Sequence, residues 1–549
     1  MNTRCSIDNA KGICALLFAS LLVPAQAQTV QWMRQGGISG EGRGAGSDAS
    51  GNAFVCGTVG NPALFDDDTT ASHFSDAFIA KYDDAGNIQW VRTGGSDLID
   101  QANDIVTDAN GNSYVTGFFS TNGPFPTVIF DGTVLQGLGG LDLFLAKYDN
   151  SGALQWIRFG GGVLADEGRG VALDASGNVV VSGYFQGTAV FGNDTLVSNG
   201  LSDVLLLKYD PNGNLIWSLR DGGTGDDKAN KLAALGNGDL GVVGSFQGSA
   251  GIAGDLLFAN GLYNAFVARY AGIGIGLWGE QAGSTLNFAG DEGFDVDAAP
   301  NGDLVFCGEI AGPSDFDGFN VVPNGGTDLF IARYDGNGDL VWVHHAGGPQ
   351  FDHAYGLAVD ADNNSYVTGQ ADDGPNTVFD SITLAPFGNE AVFIAKYDAA
   401  GAIQWVKRYA PGFGRAVALL GNGCLYFTGG ASGIVGQPAF DSIPWQYTDR
   451  AIFTARFCDA SPNGVADQAS NAAAPPPFPN PCNGTFTLHI PQKAHTVTIE
   501  DAQGRVVQRV PVLSSGPTTL QIETPGVYCV TILSDAGRVV QRVVVDRGQ

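Results

Sequence analysis

Phe78–Trp90 reads FIAKYDDAGNIQW, and the chain then writes the same phrase five more times. It returns as FLAKYDNSGALQW ending at Trp156, LLLKYDPNGNLIW at Trp217, FVARYAGIGIGLW at Trp278, FIARYDGNGDLVW at Trp342 and FIAKYDAAGAIQW at Trp405. Trp32, in VQWMRQGG, has the end of the phrase without its beginning. Counting Trp32, the phrase ends fall 58 to 66 residues apart, a period that signals a solenoid, propeller or array.

One unit shows what is repeated. From Arg169 to Arg220 it reads RGVALD, a turn ASGN, VVVSGYF, a looser stretch QGTAVFGNDTLVSNGLS, DVLLLKYD, a turn PNGN, and LIWSLR. Apolar and β-branched runs bounded by Gly, Asn and Asp predict four antiparallel strands, a to d. No long segment has a 3.6-residue period, so helix is not expected. A sheet apolar on both faces has to stack on copies of itself, and a radial stack of four-stranded sheets is a β-propeller. The end of strand b occurs seven times, at Gly57, Gly117, Gly183, Gly244, Gly308, Gly369 and Gly429. The basic residue of strand c also occurs seven times, as Lys81, Lys147, Lys208, Arg269, Arg333, Lys396 and Arg456. Only six strands c continue into a Trp strand. TVQWMR around Trp32 is therefore expected to complete the seventh sheet and close the ring, removing a free edge.

The N-terminus has Arg4 and Lys11 before an apolar run and AQA ending at Ala27. This reads as a signal peptide over 1–27, cleaved after Ala27, and too short to span a membrane. No later apolar run is long enough either, so no transmembrane segment is expected. The propeller is assigned to 28–458, a Pro/Ala linker to 459–477, and a small all-β domain to 478–549, expected to be an Ig-like β-sandwich.

The units resemble SBBP repeats, a β-propeller repeat of exported bacterial proteins, through DASGNVVVSGYF, DVLLLKYD and GALQWIRFGGG. That resemblance speaks for fold and implies no single chemistry. The tail resembles the C-terminal sorting domain of the type IX secretion system. Its matches are Pro479-Asn480-Pro481, Asn483-Gly484-Thr485-Phe486 and Gly526-Val527-Tyr528, with Cys482 departing from the usual aromatic or apolar residue. The resemblance implies the type IX machinery as a partner, and release from or display on the outer surface of a Gram-negative bacterium of the Bacteroidetes kind.

Gly is 80 of 549 residues, charged residues are 15% and the net charge is −29. This acidity argues against nucleic acid as a partner and permits a cation. Five carboxylates precede strand a in five units: Asp100, Asp166, Asp227, Asp291 and Asp352, with Gly40 and Gly412 in the other two. Strand a lines a propeller's channel, so they read either as a ring for Ca2+ or a cationic ligand, or as caps of their own turns. A second ring, Asp76, Asp142, Asp203, Asn264, Asp328, Glu390 and Asp449, precedes strand c. With the basic residue five places on, it reads as polar fasteners between sheets. Asp335, Asn337 and Asp339 resemble the start of a calcium loop, but an apolar strand follows where the closing carboxylate is needed. His344, His345, Asp352 and His353 are close in sequence, yet His344 and His345 point to opposite faces of a strand, so no metal site is assigned. No nucleophile, zinc or phosphate-loop motif is present, and no catalytic residue is named.

Six cysteines remain after the signal, and export permits oxidation. Cys424 opens the seventh strand b and Cys458 closes the seventh strand c, where other units have Asn or Asp apart from Ala271. Antiparallel neighbours bring these places together, so a Cys424–Cys458 disulfide is expected. Cys482 and Cys529 are expected to bridge within the tail, and Cys56 and Cys307 to remain free and buried. The functional expectation is a secreted or surface-displayed binding scaffold for a glycan or protein. The rivals are a carbohydrate-active lyase or hydrolase at the channel mouth and a structural spacer in a surface layer.

Overall fold

The computed structural model describes residues 28–459 apart from 62, 66–67, 71–74, 122–126, 287–289, 373–376, 385–389, 422, 434–437 and 448–449. Of the tail it describes 485–490, 494–501, 506–510, 516–522, 524, 526–534 and 537–545. The signal segment, the linker, Cys482 and Asp449 lie outside the described residues. Residues 27–459 form one compact unit, and the residues beyond it belong to another.

The repeat folds as read. In the third unit, strands a to d are Glu167–Leu173, Val179–Phe185, Asp203–Tyr209 and Leu215–Gly223, each antiparallel to the next. The other strands a are Glu41–Ser47, Gln101–Thr107, Lys228–Ala234, Glu292–Ala298, His353–Val359 and the second half of Ile403–Leu419. Each lies beside the next, and the last beside the first, so the ring closes on itself. Ile403–Leu419 runs without a break from strand d of the sixth unit into strand a of the seventh. The seventh sheet is finished by the first strand of the chain. Thr29–Ile38 pairs antiparallel with Ala451–Cys458, Thr29 opposite Cys458 and Trp32 opposite Arg456.

Four strands per blade proves too few. Five of the sheets have six strands. The looser stretch between b and c is itself a hairpin, and it pairs with strand d of the preceding blade. Thr188–Phe191 and Asp194–Val197 extend the second blade, with Gly160 opposite Phe191. Its inward residues, Ala189 and Phe191, are buried while Thr188 and Val190 are exposed. The same docking explains the paired glycines that end strand d. A Cβ on Gly94 would stand 2.3 Å from the Phe130 ring. Six blades thus lend two strands to a neighbour, while the seventh unit's hairpin, Pro438–Phe440 with Ile443–Pro444, forms a two-stranded sheet of its own.

Between blades the core is aliphatic and aromatic. Val204 and Leu206 of the third blade pack with Val242, Phe266 and Ala268 of the fourth, all fully buried. At about 1.5–3 kcal/mol for each large apolar side chain removed from water, these contacts dominate the cohesion of the ring.

The repeated phrase is a clasp. At five of the seven Trp strands, the Trp of one strand d and the cation of the adjoining strand c donate to the same carbonyl in the c–d turn of the next blade; the indole N–H groups of Trp217 and Trp405 do not. Trp32 Nε1 and Arg456 Nη1 reach Asp84 O at 2.9 and 3.1 Å. Trp278 Nε1 and Arg269 Nη1 both reach Gly336 O at 3.2 Å. The Trp ring lies on the turn glycine: a Cβ on Gly152, whose φ is +80°, would be 2.7 Å from Trp90. The cations therefore are inter-blade fasteners, but their acidic partners are not those before strand c. They pair with carboxylates at the a–b turn, Lys208 with Asp174 at 2.9 Å, Arg269 with Asp239 at 2.9 Å and Arg333 with Asp303 at 2.8 Å. The residues before strand c cap the loop four places back instead, Asp142 accepting from Leu138 N at 2.8 Å and Asp328 from Asn324 N at 2.8 Å.

At the sixth-to-seventh junction the c–d turn is replaced by the two chain ends. There Lys396 Nζ meets Asp459 at 2.7 Å. Cys424 and Cys458 stand opposite each other with Cα atoms 4.0 Å apart, joined as a disulfide. Cys56 and Cys307 are free and buried.

The tail contains a two-stranded pair, Thr485–Ile490 with Gly516–Gln521, and a four-stranded sheet ordered Val506–Val510, Ala494–Asp501, Gly526–Ser534 and Gly537–Val545. Val497, Ile499 and Val530 are buried, and the Tyr528 hydroxyl donates to Thr524 O at 2.9 Å.

Candidate functional site

The seven strands a enclose a cavity of about 370 Å3. Its wall is aliphatic, with Ile105, Val171, Leu232, Val296, Leu357 and Val417, and its polar groups are Asp104, Lys231, Asp295 and Asp297. Lys231 pairs with Asp104. The carboxylates also pin neighbouring strands: Asp104 accepts from Val171 N at 2.9 Å, Asp295 from Leu357 N at 2.8 Å and Asp297 from Val359 N at 2.8 Å. Burial raises Asp295 to about 7, against the pull of Lys231, and Asp297 to about 6.

The five carboxylates before strand a are fully buried rather than open to the channel. Each staples two blades through backbone N–H groups. Asp166 accepts from Gly162 N, at the end of the previous strand d, at 2.6 Å, and from Gln186 N, after its own strand b, at 3.1 Å. Asp100 holds Ser96 N and Ser120 N at 2.6 and 2.9 Å, and Asp227 holds Gly223 N and Gln247 N at 2.6 and 3.1 Å. Asp291 holds Ser284 N and Ala311 N at 2.6 and 2.7 Å, and Asp352 holds Gly348 N and Asp372 N at 2.7 and 2.9 Å. Burial raises Asp100, Asp227 and Asp352 to about 6 and Asp166 to about 7, with the N–H bonds opposing; Asp291 is also raised by burial. Among the described residues, no group of three or more His, Cys, Asp or Glu is placed to hold a metal ion. Asp335 likewise caps its own turn, accepting from Asn337 N at 2.7 Å and Asp339 N at 3.1 Å. The histidines separate: His344 faces Asp380 at 3.3 Å, and His353 pairs with Glu309.

What the repeat concealed is the end of the channel where each strand a begins. Every strand a carries a β-bulge at its third residue, a device that re-aims a side chain. The first and third residues form two rings that differ from blade to blade: Glu41 and Arg43, Gln101 and Asn103, Glu167 and Arg169, Lys228 and Asn230, Glu292 and Phe294, His353 and Tyr355, Phe413 and Arg415.

These side chains pair in local groups around the mouth. Glu41 Oε1 takes Arg43 Nη1 at 2.8 Å and Arg415 Nε at 2.7 Å. Arg169 meets Glu167 at 3.2 Å and donates to Asn230 Oδ1 at 2.6 Å, and Asn230 Nδ2 donates to Glu292 Oε1 at 2.8 Å. Lys228 meets Asp226 at 2.7 Å. Burial lowers the pKa of Arg43; Glu41 opposes this, and Arg415 and Arg169 add to it, as expected of guanidinium groups converging on one opening. On the other side Tyr355 lies between His353, stacked at 5.3 Å, and the Arg415 guanidinium at 4.0 Å, with Phe294 at 5.0 Å. The Arg side chains keep 24 to 30% of their surface in solvent.

Residues 477–546 match the family described as the secretion system C-terminal sorting domain, and residues 89–126 match the beta-propeller repeat SBBP. The chain carries an SBBP-type propeller repeat and a type IX sorting tail. Its tail directs export by the type IX system to the surface or surroundings of a Gram-negative bacterium of the Bacteroidetes kind. No helix among the described residues is long and apolar enough to cross a membrane. The propeller chain is 25% identical over 405 residues, 58% of its length, to an uncharacterized WD repeat-containing protein of Acanthamoeba polyphaga mimivirus. It is 30% identical over 212 residues, 37% of its length, to the regulatory protein FlaEY of Caulobacter vibrioides. It spans 29% and 21% of those relatives. Among solved structures it resembles the Dos1 propeller, at 10% identity and a TM-score of 0.38, covering 78% of this chain and 95% of that one. A protein of unknown function from Bacteroides caccae is similar at 12% identity and a TM-score of 0.23, covering 56% and 89%.

Proposed function

We propose that this exported propeller is a binding scaffold that takes its ligand at the mouth ringed by Glu41, Arg43, Glu167, Arg169, Glu292 and Arg415. The observation that supports this is where the copies stop being alike. The clasps and staples repeat because they build the ring, whereas the first and third residues of strand a change from blade to blade, and all but Asn103, Asn230 and Phe413 stay partly in solvent. Variation at positions with no shared structural duty is what a site on a rigid scaffold looks like. The test is to screen the mature protein on glycan and peptide arrays, then repeat with Arg169→Ala and Arg415→Ala. Loss of the captured ligand supports the reading; full retention by both variants refutes it. One observation favours a second reading as a polysaccharide lyase or hydrolase: the His353–Glu309 pair at the same mouth, an arrangement suited to proton transfer. New reducing ends appearing in polysaccharide incubated with the protein, and absent with His353→Ala, distinguish it.

A further inference from the structure

Resting on the mouth as the binding site, the geometry points to its ligand: we infer a neutral, hydroxyl-rich sugar chain, bound by the Glu41–Arg43 to Glu292 arc with Phe294 beneath it. The argument begins with charge. Each of these mouth cations already touches a carboxylate, with Glu41 shared by Arg43 and Arg415, Glu167 on Arg169 and Asp226 on Lys228. A carboxylate or sulfate on a ligand would have to displace one of these partners, and it would approach a protein of net charge −29. Long-range repulsion and the lack of an unpaired cation both disfavour a polyanion. A cationic ligand gains from the overall charge, but at the mouth it meets carboxylates already engaged, Glu41 and Glu167 by guanidinium groups and Glu292 by the Asn230 amide.

Hydroxyl groups fit where ions do not. Around the arc, acceptors and donors are interleaved: Glu41, Arg43, then Gln101 and Asn103, Glu167, Arg169, Lys228, Asn230 and Glu292. A hydroxyl donates and accepts at once. Neighbouring hydroxyls of a sugar ring can therefore each give a proton to a Glu oxygen while taking one from the adjacent Arg, leaving the existing pairs in place. Hydrogen bonds to charged groups are the stronger kind. The pairing holds these side chains in position before any ligand arrives, which lowers the ordering cost of binding.

The end of the arc supplies an apolar surface for the C–H face of a sugar. Tyr355 is not that surface, because it is already covered by His353, stacked at 5.3 Å, and by the Arg415 guanidinium at 4.0 Å. Phe413 is buried beneath Arg415 and Arg450, at 4.5 and 4.6 Å. Phe294 is left: it is partly exposed, and Tyr355 lies 5.0 Å away at a 51° tilt. Tyr355 and Arg415 position the aromatic sector; Phe294 meets the ligand.

The experiment is calorimetry on the mature protein with cello-, manno- and xylohexaose as neutral probes, oligogalacturonate as the acidic probe and oligolysine as the basic one. Binding of at least one neutral hexasaccharide is expected, weakened at least tenfold by Phe294→Ala and by Glu167→Gln, with melting temperatures unchanged. Because Phe294→Ala could disturb packing, Phe294→Tyr is included and is expected to retain binding. Binding of oligogalacturonate or oligolysine alone, still lost in these variants, overturns the ligand class and leaves the mouth as the site. Binding of a neutral probe that no mouth variant weakens overturns both. Failure of all neutral probes at millimolar concentration overturns the inference.

Discussion

Replacing both Cys424 and Cys458 by Ala tests how the ring is locked. The two residues are 34 apart in sequence, and the chain-entropy relation for a loop of that length gives about 4 kcal/mol of stabilisation at 25 °C. The unit it stabilises spans residues 27–459. At about 2 cal/mol/K of unfolding entropy per residue, that unit loses roughly 0.9 kcal/mol per kelvin near its midpoint, so the double variant should melt about 4 °C lower. The position sharpens the expectation. Cys458 pairs with Cys424 on one side and with Thr29 on the other, so the loosening should be local. The assay is scanning calorimetry of wild type, wild type with reductant, and the double variant, with hydrogen exchange of each. Reduced wild type and the variant should share the lower midpoint, and exchange should rise in 29–38 and 451–458 before it rises in the second to fifth blades. Equal midpoints with and without reductant, or both residues recovered as free thiols from the exported protein, would refute the reasoning.

Gly152→Ala should cost more than Gly177→Ala. Both have positive φ, +80° and +76°, but only at Gly152 does the new Cβ meet a Trp ring, at 2.7 Å against 3.9 Å to Pro211; the shared left-handed strain is about 1–2 kcal/mol, and urea midpoints of the pair measure the excess. The buried Asp residues raised to about 6 or 7, Asp100, Asp166, Asp227, Asp295, Asp297 and Asp352, bind protons more tightly folded than unfolded, so stability should fall as pH rises from about 4 to 7. A urea midpoint at pH 5 no higher than at pH 7.5 would contradict this, and Asp166→Asn should flatten the dependence. EDTA and calcium should leave the melting temperature unmoved, because the carboxylates before strand a already hold backbone N–H groups; a calcium-dependent rise would overturn the stapling assignment. Removing 477–546 should stop delivery to the outer surface, read by cell fractionation, and normal delivery would count against the tail's assignment.

The phrase was legible because nearly every letter in it has an inter-blade duty: Trp and Lys or Arg share a carbonyl, and Gly lies under the ring. Residues under the same constraint seven times stay alike, and likeness is what a reader of one sequence can see. The hairpin went unread because its strands are only three or four residues long, too short for a period to stand out. It also belongs to the blade before it, which the order of the sequence does not announce. The mouth residues were missed for the opposite reason. Aligning the units on what they share hides Arg43, Phe294 and Tyr355, since a site on a repeat scaffold is written in differences. The bulge at the third residue of strand a would have been a signal, but it leaves no trace in residue type. The five Asp were placed in the right layer of the fold, and their burial, which turned a ring of charge into a set of staples, depends on packing that composition does not reveal.

The strand Thr29–Ile38 is made before the rest of the ring, and its partner Ala451–Cys458 comes more than 400 residues later. Until that partner emerges, the earlier blades can stack only as an open arc, with an unpaired edge at the first blade. Entropy does little to prevent the final joining: lengthening a closure from about 34 to about 430 residues adds only roughly 2 kcal/mol. What it costs is time, since contacts so distant in sequence form slowly. The propeller therefore has a long interval in which it is nearly complete yet still open, and its two ends must find each other before any mouth exists. Whatever the protein binds, it can bind only after the last strand of the ring has met the first.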